Sequence, residues 1–266
     1  MDKLNNIKLV VSDLDSTLLD SHHNLPDDFW DVEAQLHQRN ILFAIASGRQ
    51  FYTIKSLFSK GSDRLLFLAE NGTYGSYQGV ELFTIPLTRN EVVEFIKVGR
   101  TLSKAYLVLC GTKSAYVENT EATFLEEVKK YYTQLEIVSD LTQVSDVILK
   151  VTLCDFDAVT TNSFKKFQSY QNDYKIVISG AIWLDITNKK AHKGKAIEFI
   201  QKKFNITSAE TMAFGDYLND YEMMEQAYYS FAMKNAHKEI VAISNFQTKD
   251  DCEHQGVTKT IKELLL

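Results

Sequence analysis

The chain has 266 residues, enough for one large domain or two unequal ones, and its 45% hydrophobic and 24% charged residues are typical of globular proteins. A formal net charge of -6 argues against nucleic-acid or anionic-membrane binding through a basic face. Cys110, Cys154 and Cys252 lack CxxC spacing and predict neither a disulfide framework nor a zinc site. No apolar segment reaches the roughly 18 residues of a spanning helix, so we expect a soluble, cytoplasmic protein with no membrane partner.

Short apolar runs that end in polar or glycine-containing clusters characterise the first part of the chain. They lie at residues 9–11, 41–46 and 65–69. Continuous apolar strands of this kind are typical of a parallel sheet that is covered on both faces. Between the first two runs, Phe29 and Leu36 belong to an apolar i, i+3, i+7 series that predicts a helix. The order strand, helix, strand indicates a βαβ unit.

The same pattern returns near the C-terminus, whereas the middle of the chain alternates helices with pairs of strands. We therefore predict an α/β fold: a Rossmann-like parallel-sheet core of residues 1–82 and 188–266, with an inserted α+β domain of residues 83–187. The C-terminal elements and those of the insert are predicted as follows: helices at 90–102, 121–132 and 157–170, a helix opened by residues 193–195 with its apolar face at 196–204, and strands at 106–110, 115–117, 148–153, 175–178, 183–186, 211–214 and 229–233.

Four polar clusters lie at predicted strand ends or helix starts. Each alone has an ordinary explanation as a turn or a helix cap. Together they bring a carboxylate pair, a hydroxyl, a lysine and an acidic pair to the crevice where open α/β sheets bind ligands. The clusters are Asp13-Leu14-Asp15-Ser16-Thr17, Ser47-Gly48-Arg49, Lys193-Gly194-Lys195 and Gly215-Asp216-Tyr217-Leu218-Asn219-Asp220.

With these clusters the sequence resembles the haloacid dehalogenase superfamily, whose four motifs read DxDxT, S/T, K and GDxxND. The resemblance covers nearly the whole chain, and further phrases are similar to the Cof-type sugar-phosphatase branch. The gap between Asp13 and Ser47 holds only one helix and one strand, so a cap domain must lie between Ser47 and Lys193, as that branch implies. The phrases are Ala69-Glu70-Asn71-Gly72, Cys110-Gly111, Ser114-Ala115-Tyr116-Val117 and Ser230-Phe231-Ala232-Met233.

The chemistry of a phosphate monoester explains why such a site needs a cation. Asp13, Asp216 and a phosphate would repel one another by about 4 kcal/mol per pair at ~4 Å and an effective dielectric near 20. Hard oxygen ligands without clustered histidine or thiolate favour magnesium. The resemblance implies a magnesium-dependent phosphatase in which Asp13 is the nucleophile and Asp15 the general acid and base. It also implies that Asp13, the Asp15 carbonyl and Asp216 hold the ion, with Asp220 behind them.

By the same resemblance, Ser47, Gly48, Lys193 and Asn219 bind the phosphate oxygens, and the substrate is a small phosphate ester, in particular a sugar phosphate. Two alternatives remain open, a phosphosugar mutase and a non-catalytic phosphosugar sensor. The sequence predicts no oligomeric state. Candidates for contacting the substrate are Arg49, Cys110, Gly111, Ser114, Tyr116 and Gly180.

Two departures from the family pattern concern the shape of the site. Ser16 stands where most Cof-type members have glycine, so the turn must be one that serine can adopt. Tyr217 and Leu218 stand where small residues are common, which favours a narrower mouth. The six histidines, among them His22 and His23 in a polar loop, show no metal-ligand spacing, and we expect them to be surface or helix-capping residues.

Overall fold

The computed structural model describes residues 3–266, which form two compact units. The first unit comprises residues 3–48, 58–82 and 192–266. The second comprises Arg49–Leu57 and Phe83–Ala191. The ranges predicted for core and insert differ from this grouping at residues 49–57 and 188–191.

Fourteen strands and nine α-helices are present among the described residues. The strands are β1 (Leu9–Asp13), β2 (Leu42–Ala46), β3 (Leu65–Ala69), β4 (Tyr74–Tyr77), β5 (Val80–Thr84), β6 (Ala105–Gly111), β7 (Ala115–Val117), β8 (Leu135–Ile137), β9 (Ile148–Asp155), β10 (Tyr174–Ile178), β11 (Trp183–Asn188), β12 (Thr211–Gly215), β13 (Tyr229–Ala232) and β14 (Phe246–Gln247). The helices are α1 (Phe29–Gln38), α2 (Phe51–Leu57), α3 (Arg89–Gly99), α4 (Ala122–Lys129), α5 (Ser163–Phe167), α6 (Lys193–Phe204), α7 (Tyr221–Gln226), α8 (Lys238–Ile243) and α9 (Gly256–Leu264).

The first unit is built on an eight-stranded sheet in the order β14-β13-β12-β1-β2-β3-β4-β5. Strands β14 through β3 pair in parallel, and β4 runs antiparallel to β3. Every residue of β1 and β3 is buried, as expected for strands covered on both faces. The predicted fold class, a parallel-sheet α/β core with an α+β insert, is therefore confirmed.

The register of the central strands brings the predicted motifs to one edge of this sheet. Asp13, the last residue of β1, pairs with Ala46, the last residue of β2. On the other side of β1, Ser12 pairs with Phe214 near the end of β12. Because parallel strands end at the same edge, the residues after Ala46 and Phe214 flank Asp13.

The second unit contains a six-stranded sheet in the order β10-β11-β9-β6-β7-β8, in which, within residues 3–266, only the β7–β8 pair is parallel. One face packs against Phe95 of α3 and Phe167 of α5, and the other packs against Phe124 of α4. Helix α3 begins with a capping box in which Thr88 and Glu91 bond each other's backbone amides.

One local prediction about this unit needs correction. The helix predicted at 157–170 is reduced to α5, because the Asp155 carboxylate accepts the amides of Asp157 and Ser163 at 3.0 Å and holds the intervening residues in turns. The segment 49–57 groups with this unit because the Gln50 side chain donates to the Gln134 carbonyl at 3.0 Å and Tyr52 Oη donates to the Thr112 carbonyl at 3.1 Å.

Two predicted absences concern the described part of the chain. No helix in residues 3–266 is both long and apolar enough to cross a membrane. Cys110, Cys154 and Cys252 are free thiols in the described residues.

Candidate active site

The turn after β1 carries Asp15, and the next residue, Ser16, has an unusual backbone conformation. Asp15 is extended, with φ -76° and ψ 129°, and Ser16 is left-handed, with φ 58° and ψ 12°. A left-handed serine costs roughly 1–2 kcal/mol unless local bonds support it. Asn235 Nδ2 supplies one such bond, donating to the Ser16 carbonyl at 2.8 Å. The expected non-glycine turn is therefore present and is held from the C-terminal part of the chain.

A buried charge cluster lies beside this turn. The Lys193 ammonium contacts Asp13 Oδ1 and lies 2.6 Å from Asp220 Oδ1, and its side chain is fully buried. One oxygen each of Asp13, Asp216 and Asp220 lies within 4.8 Å of the other two. One lysine therefore faces three carboxylates, and the cluster has an excess of negative charge.

The pKa values of the groups in this cluster are shifted by burial and by the excess of negative charge. Burial raises the pKa of Asp13 well above its ordinary value, and the charge of Asp220 raises it further, although Lys193 opposes both. Burial and then Asp220 raise the pKa of Asp216 to about 6. Burial alone would lower the pKa of Lys193, but Asp13 and Asp220 outweigh it and raise that pKa. Lys193 therefore stays protonated, but its single positive charge does not balance the three carboxylates around it.

Asp216 and Asp220 differ in their surroundings. Asp220 Oδ1 receives Lys193, and its Oδ2 accepts the backbone amides of Asp216 at 3.0 Å and Tyr217 at 3.3 Å. Asp216 is only partly buried, and its Oδ1 accepts from Thr17 Oγ1 at 3.1 Å. Both oxygens of Asp220 are thus engaged by the protein, which suits a supporting role, and Asp216 is the better placed of the two to bind an ion.

Close backbone packing fixes the start of α6 and with it Lys193. Gly72 has φ +88°, and a Cβ there would lie 2.5 Å from the His192 carbonyl oxygen. A Cβ on Gly194 would lie 2.3 Å from the Glu222 carbonyl oxygen. His192 caps the helix, its Nδ1 accepting the Lys195 amide at 3.1 Å, which confirms the expected capping role for this histidine.

Ser47, the hydroxyl residue of the second motif, is hydrogen-bonded to a strained turn that follows β3. The Ser47 carbonyl accepts the Asn71 amide at 2.9 Å, and Asn71 has φ 54°. Asn71 Oδ1 in turn accepts from Asn219 Nδ2 at 3.2 Å, and a Cβ on Gly48 would lie 3.1 Å from Asn71 Nδ2. Ser47, Gly48 and Asn219, which the sequence predicted as phosphate ligands, therefore meet around one asparagine.

Asp15 has a neighbour that the sequence did not indicate. His23 Nδ1 lies 3.5 Å from Asp15 Oδ1, and the two side chains are 65% and 44% exposed. His23 was expected to be a surface or helix-capping residue. It is exposed, as expected, but it lies beside the predicted general acid.

Several predicted substrate residues of the second unit make internal contacts. Cys110 is buried, with its Sγ 3.2 Å from Tyr132 Oη, and Ser114 is buried with its Oγ bonded to the Ala115 carbonyl at 3.0 Å. Tyr116 is 7% exposed and donates to Asp146 Oδ2 at 3.1 Å. Their hydrogen bonds organise the β6–β7 hairpin, so contact with a substrate remains a prediction.

Asp146 lies outside this hairpin and accepts several hydrogen bonds from it. The sequence did not indicate this residue. It accepts from Thr112 Oγ1 at 2.8 Å and from the Lys113 amide at 2.8 Å, in addition to Tyr116. Burial and then Asp146 raise the pKa of Tyr116. A lone aspartate in the polar segment before β9 carries no motif, so the sequence offered no signal for it.

The remaining candidates lie in less constrained places. Gly180 is exposed in the turn between β10 and β11, and the Gly111 amide donates to the Ser114 carbonyl at 2.8 Å. Arg49 is the first residue of the segment 49–57. Tyr217 and Leu218 are 57% and 41% exposed, so these two large side chains do line the surface next to Asp216.

Comparison with known proteins places this geometry among phosphatases. A family model described as haloacid dehalogenase-like hydrolase matches residues 10–261. The 5-amino-6-(5-phospho-D-ribitylamino)uracil phosphatase of Escherichia coli is 28% identical over 262 residues, which cover 97% of this chain and 96% of that protein. The HMP-PP phosphatase of Cronobacter sakazakii is 24% identical over 252 residues, 94% of this chain and 93% of that protein.

Solved structures share the fold over almost the whole chain. A protein of Streptococcus mutans superposes with a TM-score of 0.83 at 28% identity, covering 96% of this chain and 98% of that one. A subclass IIB sugar phosphatase of the HAD superfamily superposes with a TM-score of 0.78 at 20% identity, again covering 96% and 98%. At that identity the second likeness concerns the fold alone.

Proposed function

Because the chain belongs to the haloacid dehalogenase-like hydrolases, we propose that it is a magnesium-dependent phosphatase that hydrolyses small phosphate monoesters through an aspartyl-phosphate on Asp13. The observation that carries the proposal is the buried cluster in which Lys193 faces Asp13, Asp216 and Asp220 at the carboxyl edge of a parallel sheet. The relatives named as phosphatases support this class of reaction.

The residues of the cluster fit a magnesium ion. Their donors are carboxylate oxygens, the ligands that this hard cation prefers, and they have more negative charge than Lys193 balances. Asp13 and Asp216 would hold the ion together with the Asp15 carbonyl, and Asp220 would orient Lys193 and the loop from behind. When bound, magnesium supplies positive charge that offsets repulsion between these carboxylates and a phosphate.

Asp13 is the proposed nucleophile. Its carboxylate attacks phosphorus, the bond to the leaving oxygen breaks, and an acyl phosphate forms that water later hydrolyses. Lys193 contacts Asp13 directly and is held by Asp220, so its charge stays at the point where phosphate must approach. A buried lysine with this support loses no mobility when the substrate binds.

Asp15 is the proposed general acid and base. It gives its proton to the leaving alcohol in the first step and takes a proton from the attacking water in the second, so one carboxyl serves both steps. Its partial exposure suits this exchange, because the same group must meet first an alcohol and then water. Ser47, the Gly48 amide and Asn219 would bind the non-bridging phosphate oxygens around Asn71.

We further propose that the second unit is a cap that selects sugar phosphates. Support comes from the insertion of its main segment, Phe83–Ala191, into the chain of the first unit. The ribityl phosphate in the name of the E. coli relative is a sugar-like phosphate. The candidates for contacting the sugar remain Arg49, Cys110, Gly111, Ser114, Tyr116 and Gly180.

The test is a panel of phosphate esters assayed with magnesium and with excess EDTA. We expect hexose, pentose and sugar-alcohol phosphates to be hydrolysed only with the metal, and an Asp13→Asn variant to be inactive on all of them. A matched Asp157→Asn variant, altered in an exposed turn of the second unit, should retain full activity. Turnover in EDTA equal to that in magnesium would refute the metal requirement, and preference for a phosphopeptide would refute the substrate class.

A further inference from the structure

A tightly bonded loop carries His23. The Asp20 carboxylate accepts the amides of His22 at 2.9 Å and Asn24 at 2.8 Å, and Asn24 Nδ2 also donates to it at 3.2 Å. The Asp20 carbonyl accepts the His23 amide at 3.0 Å, and the Asp20 amide donates to the Asn24 carbonyl at 3.1 Å. These hydrogen bonds, all within residues 20–24, make this exposed loop a defined structure.

Two further features hold the loop in place. The Ser21 amide donates to Glu253 Oε1 at 2.8 Å, which ties the loop to a distant part of the same unit. His23 itself has φ 61°, a left-handed conformation that costs a non-glycine residue about 1 kcal/mol or more. The loop therefore sustains a strained backbone at the residue whose ring faces Asp15.

The contact between His23 and Asp15 contributes little to folding. The two atoms are 3.5 Å apart and both side chains are substantially exposed. Exposed pairs of this kind stabilise a protein weakly. The Asp15 side chain is 44% exposed, so a contact at its Oδ1 would act on the orientation of the carboxyl more than on the stability of the fold.

We propose that His23 is a positioning residue for the reaction, and this inference rests on the function of Asp15 proposed above. The imidazole holds the Asp15 carboxyl toward the leaving oxygen and transfers no proton itself. The proton passes from Asp15 to the leaving oxygen as the oxygen–phosphorus bond breaks, and Asp15 recovers one from the water that attacks the aspartyl-phosphate.

The leaving group provides a readout that a merely structural role would not change. A poor leaving group such as a sugar alkoxide needs its proton in the transition state, whereas p-nitrophenolate leaves without one. The ratio kcat/KM reports steps up to the first irreversible one, here departure of the alcohol. Misplacing Asp15 should therefore lower kcat/KM for an alkyl phosphate and spare kcat/KM for p-nitrophenyl phosphate.

The experiment compares His23→Ala, His23→Asn and His22→Ala with the wild type on ribose 5-phosphate and p-nitrophenyl phosphate. We expect His23→Ala to lower kcat/KM for ribose 5-phosphate by about three- to tenfold and for p-nitrophenyl phosphate by less than about twofold. His23→Asn should restore most of the loss, because its amide can donate near the position of Nδ1 and asparagine tolerates positive φ. His22→Ala, the neighbour in the same loop, should match the wild type.

The outcomes separate the two levels of the proposal. If the wild type hydrolyses both esters and His23→Ala lowers both equally or neither, the positioning role is wrong and the proposed function stands. If the wild type hydrolyses neither ester with magnesium, the proposed function fails and this role fails with it. Melting temperatures within about 2 °C of the wild type in the variants would show that altered kinetics do not reflect unfolding.

Discussion

The two units each contain a cluster in which one basic side chain meets several carboxylates, and the two clusters behave in opposite ways. In the first unit, Lys193 is buried with Asp13, Asp216 and Asp220, and the pKa values of Asp13 and Asp216 are raised. Burial is the main cause there, because few donors compensate the carboxylates for lost water.

In the second unit, Arg100 bridges Glu118 at 2.5 Å and Asp140 at 2.6 Å. Bonds from Arg100, first of all, lower the pKa of Glu118 and lower that of Asp140 to about 2. The amides of Leu141 and Thr142 also donate to these carboxylates. Open to water and rich in donors, this cluster needs no further cation.

The presence of charges does not by itself distinguish a binding site from a structural ion pair. What distinguishes them is whether donors and cations of the protein itself compensate the carboxylates for the water that they lose. An unsatisfied buried cluster is less stable without its ligand and is therefore ready to bind one. Variants of the two clusters can test this contrast, with effects that decrease from the nucleophile to the exposed arginine.

The largest expected effect is that of Asp13→Asn. An amide cannot form the acyl phosphate, so we expect kcat/KM to fall by at least about 10⁴-fold. Asp140→Asn, the matched change in the second cluster, should lower it by less than about twofold. Steady-state assays on ribose 5-phosphate measure both, and near-normal turnover by Asp13→Asn would remove Asp13 from the role of nucleophile.

Removing magnesium should have the next largest effect. Without the cation, the carboxylates repel the phosphate, and we expect excess EDTA to lower activity by at least about a hundredfold, reversibly. Magnesium at about 100 times its Kd should also stabilise the folded protein by about 2.7 kcal/mol, visible as a rise in Tm. The rise should persist in Arg100→Ala and disappear in Asp216→Asn; an equal rise in both variants would place the ion elsewhere.

The stability of the metal-free protein should depend on pH through Asp216. Its folded pKa of about 6 exceeds the ordinary value of 3.8, so the folded state binds more protons and loses stability as pH rises from about 4 to 6. Asp216→Asn removes this loss, and we expect it to add about 1–3 kcal/mol to the free energy of unfolding above pH 6 and little below pH 4.

Asp140→Asn supplies the opposite sign for this measurement. The lowered pKa of Asp140 stabilises the folded state above about pH 4, and that stability is lost as pH falls toward about 2. Urea unfolding in EDTA at several pH values checks both variants. A destabilised Asp216→Asn protein at pH 8 would contradict the raised pKa.

The smallest expected effect is that of Arg100→Ala. Its side chain is 40% exposed, and the pairs that it makes with Glu118 and Asp140 should contribute about 1 kcal/mol or less. High salt should shrink the difference in urea midpoint between variant and wild type, since exposed pairs are screened. A loss of activity without a loss of stability would mean that the second cluster has a role beyond structure.

The sequence predicted those parts of the molecule that depend on local pattern. Apolar runs identified β1, β2, β3 and β12, and strand ends share an edge in any parallel sheet, so the meeting of Asp13 and Asp216 followed from their positions at the ends of β1 and β12. The strands β4, β5, β8 and β14 were missed. Tyr74–Tyr77 contains a glycine and a serine, and the three residues of β8 and the two of β14 carry too little pattern.

Contacts that tie loops to residues distant in sequence could not be predicted. Asn235 reaches Ser16, and Glu253 reaches Ser21, through side chains whose own neighbourhoods form no motif. His23 was judged by metal-ligand spacing, a criterion that does not detect a histidine beside a carboxyl. Such contacts depend on loop conformation, which the pattern of short polar segments does not reveal.

The backbone contacts of Gly72 and Gly194 have a consequence for anyone who would transplant this site. They leave no room for a side chain between α6 and its two neighbours, so the depth at which Lys193 enters the cluster is set by main-chain atoms. Copying the charged residues onto another parallel sheet would reproduce the residue types without the distance between Lys193 and the carboxylates. A successful graft would therefore have to include the two glycines and the backbone carbonyls of His192 and Glu222 against which they pack.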